Sequence, residues 1–103
     1  MKFSEREIAG IRQASERCGV RELILFGSAL RPVEFGRDSD IDLAVTFHKS
    51  TSNGRFTAYM DLKEALEELF HRSVDLVSAD AIRNPILREE LATSGKVVYA
   101  ASA

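Results

Sequence analysis

At 103 residues, 45% hydrophobic and 29% charged, the chain has room for one core and the composition of an ordinary folded domain, which excludes a disordered or low-complexity segment. A formal net charge of -2 excludes the broad basic surface of a nonspecific nucleic-acid binder, so no direct nucleic-acid binding is expected. No apolar run approaches the roughly eighteen residues of a membrane span, and Glu5, Arg6 and Glu7 stand where a signal peptide would be apolar, so the expectation is a cytoplasmic single domain over residues 1–103 with no membrane contact.

The first element is a helix. Ser4 is placed to cap it, Glu7 three residues later completes a capping box, and Phe3 with Ile8 can form a hydrophobic staple. Ile8, Ile11, Ala14 and Cys18 then recur at helical spacing until Gly19 stops the element. Cys18 is the only cysteine, which excludes an internal disulfide and a cysteine-based zinc site, and it reads as a small core residue near the helix end. Next, Leu23-Ile24-Leu25-Phe26 is a buried strand ending in the tight turn Gly27-Ser28. Residues 29–39 read as a loop with one turn of helix, in which Arg31 and Arg37 are cations within reach of a phosphate and Asp38 is a turn former.

A second strand begins at Asp40 and runs to Phe47, and its period of two puts Ile41, Leu43, Val45 and Phe47 on one face and Asp40, Asp42, Ala44 and Thr46 on the other. His48 ends the strand, and residues 48–54 have loop composition, with Lys49 and Arg55 as solvated charges. A second helix is expected from about Phe56 to His71, with Ala58, Leu62, Ala65, Leu66, Leu69 and Phe70 toward the core and Lys63, Glu64, Glu67 and Glu68 toward solvent. His71 sits at its negative pole. Val74-Asp75-Leu76-Val77 is a third strand. The helix before it makes the link a crossover of βαβ type, right-handed if the two strands are parallel neighbours. Asn84 as cap and Pro85 at the first helical position open a last helix that Gly95 closes. Lys96-Val97-Val98-Tyr99 forms a final strand with Tyr99 packed on the sheet, and residues 100–103 are expected to fray. The fold class is α/β (α+β): a small mixed sheet of about four strands with helices mainly on one face.

Chemistry concentrates at the ends of the first two strands. Gly27 has no Cβ, so backbone N–H groups can approach a phosphate closely, and Ser28 adds a hydroxyl. Asp40 and Asp42 point the same way with Cα atoms about 6.5 Å apart, within reach of one hard cation or of two that share an oxygen. Two carboxylates on one half-buried face repel unless a divalent ion neutralises them, and Mg²⁺ is the leading candidate. Asp75 completes the cluster if its strand pairs beside that of Asp40.

Gly27-Ser28, the eleven residues that separate Ser28 from Asp40-x-Asp42, and the later apolar-flanked Asp75 resemble the signature of the nucleotidyltransferase superfamily related to DNA polymerase β. The short length resembles its minimal (MNT-type) branch. The run Gly27-Ser28-Ala29-Leu30-Arg31-Pro32 keeps the arginine of that branch, while Leu30 and Pro32 replace its alanine and glycine, and Pro32 shortens the helical turn after Ser28. The resemblance implies the polymerase β-like fold, ATP as substrate, and a two-metal Mg²⁺ site held by the catalytic carboxylates Asp40, Asp42 and Asp75. It implies triphosphate binding by Gly27, Ser28 and Arg31, and transfer of a nucleoside monophosphate to a hydroxyl with release of pyrophosphate. It also implies a helical HEPN-type protein as partner, in a toxin–antitoxin pair whose antitoxin adenylylates the toxin on tyrosine. Two other readings stay open on the residues: a noncatalytic module that neutralises a partner by binding it, and a transferase acting on a small molecule.

Overall fold

The computed structural model describes residues 3–27, 40–48 and 54–101, the side chain of Arg55 excepted. Ser28, Leu30, Arg31, Pro32, Arg37, Asp38 and Lys49 lie outside the described residues. The chain runs α1 (Glu5–Arg17), β1 (Val20–Phe26), β2 (Ile41–Phe47), α2 (Arg55–Phe70), β3 (Val74–Ser78), a turn of 3-10 helix (Ala79–Ala81), α3 (Pro85–Ser94) and β4 (Lys96–Ala100).

Local chemistry accounts for the helix ends. Ser4 Oγ accepts from Glu7 N–H at 3.1 Å while Ser4 N–H donates to Glu7 Oε1 at 2.9 Å, the reciprocal capping box expected at this start. Ile8 and Phe3 line one surface cavity, with Ile8 53% exposed, and the Phe3 ring also packs on Phe70 of α2 with ring centroids 5.3 Å apart. At this same end of α2, His71 takes the left-handed conformation (φ 54°) that ends a helix. Asn84 Oδ1 caps α3 through Ile86 N–H at 2.9 Å, with Pro85 at the first helical position.

The sheet order is β3-β2-β1-β4. β1 pairs antiparallel with β2 and with β4, and β2 pairs parallel with β3. The parallel pair is joined through α2, which is the crossover read from the sequence, and its residues Leu62, Leu66 and Phe70 are buried with the sheet residues Leu23, Leu25, Ile41, Leu43, Val45, Val74 and Leu76 in one core. α1 adds Ile11, Ala14 and Cys18 to the same core. On the opposite face of the sheet, Phe26 and Ala44 are buried, as is Ile82 after the 3-10 turn. Tyr99 packs against the core as expected. Ala100, expected to fray, is the last residue of β4: it pairs with Glu22, and the next residue, Ala101, donates its N–H to Arg21 C=O at 2.9 Å.

Candidate active site

The site is built by sheet register. Phe26, the last residue of β1, pairs with Asp42, and on the other side of β2 Asp42 pairs with Asp75. The Gly27 turn, Asp42 and Asp75 therefore lie in one row across three strands, at neighbouring-strand spacings of about 4.8 Å. Alternation sends Ile41 and Leu43 into the core, each 1% exposed or less, so Asp42 between them points to the opposite face, where it is half-buried. Asp75 does the same between the buried Val74 and Leu76, and is exposed. Asp40 precedes β2 by one residue and is exposed; Ile41 N–H donates to Ser73 C=O at 3.0 Å, which anchors the strand just after it.

Gly27 is held against this row. Its φ is +74°, a left-handed conformation that glycine adopts without strain, and a Cβ built there would stand 2.3 Å from Asp42 Oδ2. Gly27 at the end of β1 and the β2 carboxylate of Asp42 thus lie against each other, which brings the glycine of the sequence motif to its carboxylate half. His48, read as a strand end without a chemical task, donates its backbone N–H to Gly19 C=O at 3.0 Å.

The donors in this row are hard carboxylate oxygens, the chemistry that suits Mg²⁺. Among the described residues no three His, Cys, Asp or Glu side chains gather into a metal-holding group, so Asp40, Asp42 and Asp75 do not make a closed cage in the protein alone. Mg²⁺ is ordinarily held by one or two carboxylates with substrate phosphates supplying the rest, and the adjacent Asp42 and Asp75 fit that mode.

Two residues with a bearing on the site were not singled out by periodicity. Glu67, placed on the solvent side of α2 in the sequence reading, accepts from Val74 N–H at 2.9 Å, and Tyr59 donates its hydroxyl to Leu76 C=O. Both partners flank Asp75. Only the fact that the helix follows one strand and precedes a parallel one could have hinted at such contacts.

A four-stranded mixed sheet of this order, with a glycine facing an aspartate on the adjacent strand, is the arrangement expected of a nucleotidyltransferase, and the chain belongs to the polymerase beta nucleotidyltransferase family, whose model matches residues 11–103. Protein adenylyltransferase MntA of Thermococcus cleftensis is similar to it at 38% identity over 88 residues, which covers 85% of this chain and 82% of that protein. A solved structure described as a minimal nucleotidyltransferase superposes with a TM-score of 0.70 at 33% identity, covering 86% of each chain. The fold also matches a chain in the complex of a tri-AMPylated Shewanella oneidensis HEPN toxin with an MNT antitoxin, with a TM-score of 0.59 at 22% identity, over 92% of this chain and 71% of that one. The chain is thus a minimal member of its family in fold, with helices mainly on one face of a four-stranded mixed sheet.

Proposed function

We propose that this chain, as one nucleotidyltransferase domain over residues 1–103 acting in the cytoplasm, moves AMP from ATP to a hydroxyl of a partner protein, and that the partner is a HEPN-type helical toxin modified on tyrosine. The observation that carries the reading is the row formed by the Gly27 turn, Asp42 and Asp75. The similarity to a protein adenylyltransferase supports AMP as the group moved, and the fold match within a complex of an AMPylated toxin supports the choice of acceptor.

In this reading Asp40 and Asp42 hold the Mg²⁺ that accompanies the triphosphate, and Asp75 joins them at the acceptor side. Bound Mg²⁺ supplies positive charge at the α-phosphate and at the leaving oxygens. Gly27 and Ser28 hold the β- and γ-phosphates through backbone N–H groups and a hydroxyl, with Arg31 adding charge. The acceptor hydroxyl loses its proton to the carboxylate group at Asp75 and its oxygen attacks the α-phosphorus. The bond from that phosphorus to the bridging oxygen breaks, and pyrophosphate leaves with the electron pair. The half-burial of Asp42 matters here, because partial exclusion of water strengthens the attraction of its carboxylate for a divalent cation.

The test is incubation of the protein with ATP labelled at the α-phosphate, Mg²⁺ and a purified HEPN-type protein, beside Asp42→Asn. Label should appear on the partner with the native chain and vanish with the variant, whose fold is retained because amide and carboxylate have the same shape. Undiminished labelling by Asp42→Asn, or tight binding of the partner without any label, would overturn the reading.

A further inference from the structure

Among the described residues β3 is an edge of the sheet, and edge strands have one row of backbone groups without a strand partner. In a parallel pair the N–H and C=O of one residue point to the same side, and successive residues alternate. The bond from Ile41 N–H to Ser73 C=O turns Ser73, and hence Asp75, toward β2. Val74 and Leu76 therefore face outward. Both are satisfied by α2: Val74 N–H by Glu67 Oε2 at 2.9 Å, and Leu76 C=O by the Tyr59 hydroxyl. The later helix residue takes the earlier strand residue, as a helix running antiparallel to its strand requires. The two bonds sit immediately before and after Asp75 and come from the helix side of the sheet, away from the carboxylates.

We infer that Tyr59 and Glu67 are positioning residues that lock β3 in the register setting Asp75 beside Asp42. The inference rests on the functional reading above, in which Asp75 acts at the acceptor hydroxyl. The need for such a lock follows from strand geometry. A slip of one residue turns Asp75 into the core, and a slip of two carries it roughly 6.6 Å along the sheet, out of reach of the group it serves. The strand is short, five residues with a single strand neighbour among the described residues, so bonds from α2 add to the few ladder bonds and to the burial of Val74 and Leu76 in holding its register. Glu67 accepts as a carboxylate from a backbone N–H, the stronger kind of hydrogen bond, and Tyr59 is half-buried against the core, so the two anchors are themselves fixed.

The experiment compares Tyr59→Phe, Glu67→Ala and Glu67→Gln, the last keeping an oxygen that can accept from Val74 N–H. Two quantities are read: transfer of labelled AMP to the HEPN-type protein, as kcat and KM for ATP, and amide hydrogen exchange by NMR. Tyr59→Phe and Glu67→Ala should lower kcat about 10- to 100-fold, the usual cost of removing support behind a metal-site carboxylate, with KM for ATP changed by less than about twofold. Exchange at the Asp75 amide should accelerate while that of Leu25 and Leu43 does not, and Glu67→Gln should restore most of both. Unchanged kcat and unchanged Asp75 exchange in Tyr59→Phe and Glu67→Ala would overturn the inference. So would equal acceleration at Leu25 and Leu43, which would make the two residues general stabilisers. If the native chain transfers no label, the functional reading fails, and exchange at Asp75 still decides whether the lock exists.

Discussion

Replacing Gly27 by alanine separates the two contributions of this residue, and the structure sets their sizes. The added methyl carbon would lie 2.3 Å from Asp42 Oδ2, 3.1 Å from its Cγ and 3.3 Å from its Cβ. To regain ordinary van der Waals distance the carboxylate oxygen must retreat by about 1 Å. The atom it meets is the tip of a side chain, so rotation relieves the clash and the cost to stability stays small. The left-handed φ of +74° adds about 1–2 kcal/mol, which no rotation removes. A loss of that size lowers Tm by roughly 4–15 °C in a domain of this length, measurable by thermal denaturation followed by circular dichroism. Activity should fall much further, because a displacement of about 1 Å in a group that positions the reacting phosphate costs about 100-fold. Transfer of label from ATP, measured below the melting temperature, checks this. Native-like transfer by Gly27→Ala, with or without a lowered Tm, would refute the argument that this glycine exists to let the Asp42 carboxylate approach the turn.

Two further outcomes concern the core. Ser15 is fully buried in α1, and its Oγ has no hydrogen-bond partner among the described residues, so Ser15→Ala should raise stability by about 1 kcal/mol in urea denaturation; a loss of comparable size would show that the hydroxyl is satisfied in solution. Cys18 is buried at the end of α1, and burial pushes its thiol above the ordinary value of 9.0, against a smaller opposing pull from Arg17. A raised value in the folded state means that this contribution to stability is complete below pH 9 and is lost as the pH climbs through the folded-state value. The native chain should therefore lose stability relative to Cys18→Ala as the pH rises above 9.0, and iodoacetamide should label Cys18 at about pH 8 only after denaturation. Parallel pH profiles for the two chains, or rapid labelling of the folded protein, would refute it.

The elements were legible because their signals are local. The capping box at Ser4 and Glu7, the Asn84-Pro85 start of α3 and the alternation in β2 each depend on residues within one turn or one pleat of each other, and all were found where the sequence places them. The proximity of Gly27 to a carboxylate was not local. Spacing alone allowed the Gly27 turn and Asp42 to be remote, and it took the antiparallel register of β1 on β2 to bring them into contact. The same distinction explains the departures. Phe3 packs on Phe70, distant in the chain, and Ala100 was drawn into β4 by pairing with Glu22. Glu67 reads as a solvent-facing acid on any helical wheel, because the wheel knows nothing of the strand edge that lies beside the helix.

The sequence by itself determined the helices and strands, the inward and outward faces of each, and the residue types able to handle a metal-bound triphosphate, since these follow from periodicity, capping and donor chemistry within short spans. Only the tertiary structure decided which strand lies beside which, and with it that Asp75 stands opposite Asp42 and that Tyr59 and Glu67 hold its strand. Pairing between strands is chosen by burial summed over the whole sheet and by the crossover through α2, and no stretch of residues read alone contains that sum.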